Sequence, residues 1–338
     1  MKNYQSACTQ MSQNNTTQLL FTGHVDHGKS TVCGHILLKV GYISERDMEK
    51  LEEESKKKKM GRWKYSWILD ICDEERERGK TIDFCKIDFK YQNRNISLID
   101  TPGHKLLIKQ LIHGINVIAS PKTIVGCLVI SVIQREFSSG VQGGQTKEDL
   151  LILRASGVES LIVLLNKIDA VDWNQLMFEK LKNKLDQYIK KLEFKQVQYL
   201  PISGYNGDGL MDIIEIANSM ADRMTCVAST TENKSNTPAD CKIVMARIKI
   251  INCPSIISAG ATYIMHVNDL ECNIEIKRLI GKQYAKAGDV VVAVIADLNG
   301  DKIHCALDDR IIIRTADITM GFGKIIKTDN CTPRSNEP

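Results

Sequence analysis

The chain has 338 residues, 43% of them hydrophobic and 25% charged, with a formal net charge of +4. That length exceeds one compact domain by the usual measure, so two are expected, and the composition is that of an ordinary globular protein. No stretch approaches the run of about 20 apolar residues that a membrane helix needs, and the eleven cysteines, scattered with no C-x-x-C pair, speak against a disulfide framework or a zinc site. The mild positive charge is compatible with an RNA-rich partner without demonstrating one.

Residues 1–17 form a polar N-terminal tail with no apolar core for a signal peptide, so a cytoplasmic protein with reduced thiols is expected. From 18 to 225, short apolar runs alternate with helical periodicities. Candidate strands are Leu19–Gly23, Ile82–Phe89, Ile96–Asp100, Val125–Ser131, Leu161–Asn166 and Val197–Ile202. Helices are expected after the first strand and over about Thr146–Ser156, Trp173–Leu192 and Leu210–Arg223. This alternation predicts an α/β fold, a doubly wound and mostly parallel sheet with ligands beyond the carboxyl ends of its strands.

The first strand runs into Gly23-His24-Val25-Asp26-His27-Gly28-Lys29-Ser30-Thr31. The spacing G-x-x-x-x-G-K-S lets successive N–H groups curl round phosphates, with Lys29 reaching the β/γ-phosphates and the Ser30 hydroxyl available to Mg²⁺. The helical pattern behind it (Val32, Ile36, Leu37, Val40) would point its N-terminal dipole at the anion. Such a loop does not choose between ATP and GTP. The charged stretch Glu45–Lys64 reads as a solvated helix or, alternatively, as a basic ridge near ribosomal RNA.

Thr81, ahead of a strand, can close over Mg²⁺ and the γ-phosphate and release on hydrolysis. Asp100-Thr101-Pro102-Gly103 ends the run Ile96–Ile99. The Asp100 carboxylate can position Mg²⁺, the Gly103 amide can sense the γ-phosphate, and His104 can orient an attacking water. Asn166-Lys167-Ile168-Asp169 follows another apolar run. The Asp169 carboxylate can accept from both N1–H and N2–H₂ of guanine, donors that adenine lacks, so GTP is the expected nucleotide. Asn166 would steady this loop, the Lys167 stem would lie along base or sugar, and Ser203-Gly204 would offer amides to the guanine O6.

Residues 226–240 are polar and read as a linker. From 241 to 328, six short β-type runs (Lys242–Ile251, Thr262–Val267, Asn273–Ile280, Asp289–Ile295, Arg310–Thr315, Met320–Ile326) suggest a small all-β barrel. A polar tail, 329–338, closes the chain.

Together GHVDHGKS, ERERGKTID, DTPGHK, NKID and the Ser203-Gly204 pair resemble the translational GTPases. Gly34-His35, the insertion Glu45–Lys59, Arg135-Glu136-Phe137 and Gly143–Glu148 narrow the resemblance to the branch of elongation factor one-alpha, the release-factor GTPase and the ribosome-rescue GTPase that partners Pelota. Ala170–Gln175 and Leu192-Glu193-Phe194 look most like the last. The resemblance implies a GTPase using GTP/GDP and Mg²⁺. Gly23 through Thr31, Asn166, Lys167, Asp169, Ser203, Gly204 and Tyr205 would contact nucleotide, Ser30, Thr81 and Asp100 would serve Mg²⁺, and His104 would be catalytic.

It also implies a monomer, with no membrane association, that works on the ribosome and carries a Pelota-like or release-factor-like protein on its C-terminal barrel. Termination or elongation are the alternative processes. That barrel resembles the family's third domain, and the middle barrel is missing, which argues against aminoacyl-tRNA as cargo. Ile115–Thr123 holds extra residues, and Ser131 stands where the family has an acid. These departures motivate an alternative of another class, a GTP-dependent binding module without turnover.

Overall fold

A computed structural model of the chain describes residues 16–57, 65, 68–69, 85–103, 124–142, 144–228, 238–253, 255–268 and 270–329. The first unit is a six-stranded sheet. Its strands are β1 (Thr16–Thr22), β2 (Cys85–Tyr91), β3 (Arg94–Asp100), β4 (Ile124–Ser131), β5 (Ser160–Asn166) and β6 (Gln196–Pro201), in the spatial order β2-β3-β1-β4-β5-β6. Only β2 runs antiparallel to its neighbour. The runs Ile124–Ser131 and Ser160–Asn166 are buried at every position, as parallel strands covered on both faces must be.

Alternate side chains of the sheet meet different helices. Leu19, Phe21, Val125 and Val129 pack against α1 (Lys29–Lys39) and the last helix of the unit, Leu210–Ala228. Leu20, Leu128, Leu161 and Leu165 pack against the opposite layer. In chain order the remaining helices are α2 (Glu45–Lys57), α3 (Gln134–Gln142), α4 (Gln145–Ala155), α5 (Gln175–Leu192) and α6, the Leu210–Ala228 helix just named. Helix α5 starts at Asn174, whose side chain accepts from the Met177 N–H at 3.0 Å, a side-chain N-cap. Its predicted start at Trp173 is therefore too early, since Asp172 and Trp173 have left-handed backbone. Helix α3 is absent from the sequence expectations. It is nine residues long, and Ser138, Ser139 and Gly140 interrupt its apolar pattern.

Helix α6 continues to Ala228 and a short strand β7 (Ala239–Cys241) follows, so the connection is shorter at both ends than 226–240. Then come β8 (Ile243–Ile250), β9 (Ile257–Ser258), β10 (Thr262–Val267), β11 (Leu270–Ile280), β12 (Tyr284–Ala285), β13 (Val290–Asp297), β14 (Ile303–Cys305), β15 (Arg310–Arg314) and β16 (Thr319–Thr328). Six of these close into a barrel in the order β10-β11-β13-β8-β16-β15, and β12 with β9 and β14 with β7 form two-stranded sheets. Closure removes unpaired edges, and alternate residues such as Val244, Ala246, Ile248, Val291, Ala293 and Ile295 fill the interior. No helix among the described residues is long and apolar enough to cross a membrane.

The barrel docks on α4. That helix is buried on nearly all sides, including Leu150, Leu151, Ile152 and Leu153, because one side faces the sheet and Ile312, Phe322 and Ile251 of the barrel unit pack into the same core. Polar clamps hold its two ends. Glu148 accepts from the Thr319 N–H at 2.9 Å and from the Thr319 hydroxyl, with the Arg314 guanidinium 3.8 Å away. Past the other end, Arg310 donates to the Ser156 carbonyl at 2.6 Å.

Candidate functional site

The expected residues converge at the carboxyl ends of β1, β3 and β5. The loop between β1 and α1 needs backbone that ordinary residues avoid. Gly28 has φ of 90°, and a Cβ there would meet the Asn166 side chain at 2.5 Å. A Cβ on Gly23 would meet the Val129 carbonyl at 2.3 Å. Asp26 is also left-handed, at φ 64°. Lys29 opens α1 and is buried, with its ammonium donating to the His24 carbonyl at 3.1 Å. Burial lowers its pKa, against the pull of Asp100 and Asp149. A buried cation at the N-terminus of a helix is a seat for an anion.

Ser30 donates to Asp100 at 2.6 Å, so two of the three residues expected to serve Mg²⁺ are already neighbours. Among the described residues no group of three or more His, Cys, Asp or Glu could hold a metal ion. A hydroxyl and a carboxylate fit Mg²⁺, which keeps waters and takes substrate phosphate oxygens rather than an all-protein cage. Gly103 closes over the same seat: a Cβ there would lie 2.2 Å from Lys29 Nζ and 3.1 Å from the Val25 nitrogen. Thr81, His104 and the segment 115–123 lie outside the described residues.

Asn166 is the joint between loops. Its amide nitrogen donates to the His27 carbonyl at 2.9 Å, and its oxygen accepts from the Gly204 N–H at 2.8 Å. One side chain thus ties the phosphate loop to the loop after β6. Asp169 sits in the 3-10 turn Ile168–Val171, and its Oδ1 is buried with no hydrogen-bond partner among the described residues. An orphaned carboxylate oxygen of this kind is expensive unless a ligand supplies donors. Guanine supplies two.

One expectation changes and two others gain detail. The Ser203 N–H donates to the Asp208 carbonyl at 3.1 Å and the Gly204 N–H to Asn166, so neither amide is free for the guanine O6. In that turn the Tyr205 N–H is left without an acceptor among the described residues, and the Tyr205 side chain is 58% exposed. The Lys167 ammonium is held at the Asp26 carbonyl and at Glu136, both at 2.7 Å. The His27 ring faces away into the fold, with Nδ1 at 3.2 Å from the Val129 carbonyl and Nε2 at 3.2 Å from the Glu136 carbonyl. Burial pushes this imidazole down to about 4, with the Glu136 carbonyl pulling the other way. A neutral ring carries one N–H, so it donates to only one of the two carbonyls. His27 thus offers a ligand its main chain rather than its ring. Of the remaining loop residues, Val25 and Thr31 stay at the seat within the connection and the first turn of α1.

Two supporting residues had no stated role in the sequence: His35, a mark of the resemblance, and Ser131, a departure from it. His35 donates from Nδ1 to the Gly204 carbonyl at 2.9 Å and stacks on Tyr65, with ring centroids 4.2 Å apart. Ser131 accepts from the Ile133 N–H at 3.2 Å, so at the end of β4 a hydroxyl caps the turn into α3.

Comparison with known proteins agrees with this geometry. The sequence signature of the elongation factor Tu GTP binding domain matches residues 14–223. The chain is 37% identical over 199 residues to elongation factor 1-alpha of Hyperthermus butylicus, covering 57% of this chain and 44% of that protein. It is 36% identical over 204 residues to the eukaryotic peptide chain release factor GTP-binding subunit of Schizosaccharomyces pombe, covering 58% of this chain and 30% of that one. The matches thus span less than half the length of these relatives. In fold, the chain resembles the S. cerevisiae Ski7 GTPase-like domain bound to GTP, at 14% identity and a TM-score of 0.77, over 92% of this chain and 97% of that one.

Proposed function

The chain belongs to the family of the elongation factor Tu GTP-binding domain, and from that premise we propose that it binds and hydrolyses GTP and delivers a Pelota-like protein to stalled ribosomes. The observation that carries the nucleotide reading is the buried Asp169 Oδ1, without a partner among the described residues and held by a loop that Asn166 fixes to the phosphate seat. In this reading Asp169 accepts from the guanine, the Tyr205 N–H serves the guanine O6, and Gly23 to Thr31 wrap the phosphates. Lys29 neutralises charge on the β/γ-phosphates, where phosphoryl transfer concentrates it. Ser30 and Asp100 would hold Mg²⁺ together with Thr81; the ion would supply charge neutralisation of the phosphates. His104 orients the water. Isothermal titration with GTP, GDP and ATP tests binding, and single-turnover hydrolysis with and without ribosomes tests turnover. His104→Ala should leave GTP affinity nearly unchanged while stimulated hydrolysis collapses; no stimulation in the unaltered chain favours a binding module instead.

The protein-cargo reading is supported by the barrel surface. On β13 both faces are apolar: Val291, Ala293 and Ile295 fill the interior, while Val290, Val292, Val294 and Ala296 point outward. Outward partners continue the patch, with Met245 opposite Val294, Ile243 opposite Ala296, and Ile280 opposite Val292. Val290 is 56% and Ile243 47% exposed. Arg247 stands directly opposite Val292 and Arg278 opposite Val294, Lys324 and Lys327 follow on the next strand, and Glu275 stands opposite Ala296. The patch centres on β13, three strands round the barrel from β15, which with β16 contacts α4. An apolar patch interspersed mostly with cations suits a protein with acidic flanks better than RNA, which would call for stacking aromatics. Pull-down of a Pelota-like protein, a class-one release factor or aminoacyl-tRNA on the full chain separates rescue, termination and elongation. Met245→Lys with Val294→Lys should abolish capture of the first.

A further inference from the structure

Lys167 leaves β5 in left-handed backbone, at φ 65°, and its ammonium sits between the Asp26 carbonyl and Glu136 Oε2. Glu136, in the first turn of α3, makes three connections. Its carboxylate takes Lys167 at 2.7 Å and lies near the Ser131 hydroxyl, which lowers its pKa, and its carbonyl faces His27 Nε2 at 3.2 Å. Ser131 in turn ties that helix start to the end of β4 through the Ile133 N–H. Partial burial pushes the Glu136 carboxyl up, but Lys167 and Ser131 outweigh it and hold the group below its ordinary value.

An isolated exposed ion pair does little for stability. This pair differs because both side chains are about 70% shielded, at 30% and 28% exposure, and the same ammonium also bonds a fixed main-chain carbonyl. Lysine has large rotamer freedom. Without the carboxylate, its ammonium would be free to return to water and leave Asp26, which is itself in strained left-handed backbone.

We propose that Glu136 is a positioning residue for the nucleotide, holding Lys167 against the Asp26 carbonyl so that the base-reading loop is latched to the phosphate loop and nucleotide release is slowed. This rests on the guanine reading of Asn166 to Asp169 and adds to it a residue that the phosphate-loop and N-K-x-D motifs do not contain. A preorganised site keeps its ligand longer because less ordering remains to be done on binding.

The test is the release rate of a fluorescent GDP from the full chain, arranged as a double-mutant cycle between Glu136→Gln and Lys167→Met. Exchanging a charge-assisted bond for a neutral one predicts about 5- to 10-fold faster release in the unaltered background. In the Lys167→Met background the same change should alter release by less than about 2-fold, since its target is gone. Ser131→Ala, which leaves the carboxylate in place but unsupported, should accelerate release by about 2- to 3-fold. Equal acceleration by Glu136→Gln in both backgrounds would mean that Glu136 acts through general stability, and no acceleration would mean that it does not act on release; either result overturns the proposal. If the folded, unaltered chain fails to retain the GDP probe at all, the guanine reading itself fails and this inference falls with it. Retention with an additive cycle removes the inference alone.

Discussion

Replacing Glu148 with alanine probes how the barrel is held on α4. The Glu148 side chain is 9% exposed and that of the facing Arg314 6%, and the carboxylate receives both the N–H and the hydroxyl of Thr319. Hydrogen bonds to a charged group contribute about 1.5–3 kcal/mol each, and removing one member of a buried pair costs about 3–5 kcal/mol. The Arg314 contact, at 3.8 Å, is too long for a hydrogen bond, so the lower end applies: about 3 kcal/mol, or roughly a hundredfold in the docking equilibrium. Glu148→Gln keeps an acceptor for Thr319 and should lose only about 1 kcal/mol. Hydrogen exchange reads this directly, because the Thr319 N–H bonds across the interface. In Glu148→Ala its exchange should accelerate roughly a hundredfold, with smaller changes around Arg310–Arg314, while amides of β1, β4 and β5 keep their protection. Unchanged exchange at Thr319 would refute the reasoning, and uniform acceleration throughout the sheet would show that the residue supports the whole fold rather than the docking.

Gly157→Ala attacks the same interface from the other end of α4. Its Cβ would lie 1.1 Å from Arg310 Nη1, and φ is +92°, so the guanidinium must leave Ser156 and the backbone is strained. A loss of about 2–3 kcal/mol in urea unfolding is expected, with the steric part recovered by adding Arg310→Ala. The His27 imidazole has a folded pKa of about 4 against 6.5 for the free group. The unfolded chain therefore takes the proton first, and stability falls as pH drops from 6.5 to 4, by about 3 kcal/mol for this group. His27→Gln should flatten that acid limb in the nucleotide-free chain; an unchanged slope would remove His27 as its source. Asp149 works in the opposite direction: burial pushes its carboxyl up to about 7, so its penalty grows as pH rises from 4 to 7. Asp149→Asn should gain on the unaltered chain over that window.

Most of the sheet was legible because its central strands are continuous apolar runs that nothing else could be. The phosphate loop was legible because its glycines are demanded by backbone geometry, Gly28 against Asn166 and Gly23 against Val129. Less local features were hidden. Helix α3 has too few apolar positions to announce itself, and so the connections of Glu136 were invisible although the residue stood in plain view. The fates of the Ser203 and Gly204 amides depend on Asp208 and on Asn166, the latter 38 residues away, which no spacing rule captures. The burial of α4 on nearly all sides reflects the barrel packed against it. An amphipathic reading of Gln145–Ala155 supplies only the sheet-facing half of that burial.

The central claim is that the carboxylate of Asp169 selects the base, and competition between guanine, adenine and xanthine nucleotides tests it most directly. The unaltered chain should prefer GTP over ATP by at least about a hundredfold, because adenine leaves a buried acceptor unpaired. Asp169→Asn, whose amide nitrogen can donate to the xanthine O2, should lose the guanine preference and take xanthosine triphosphate instead. Equal uptake of ATP and GTP by the unaltered chain would contradict the account.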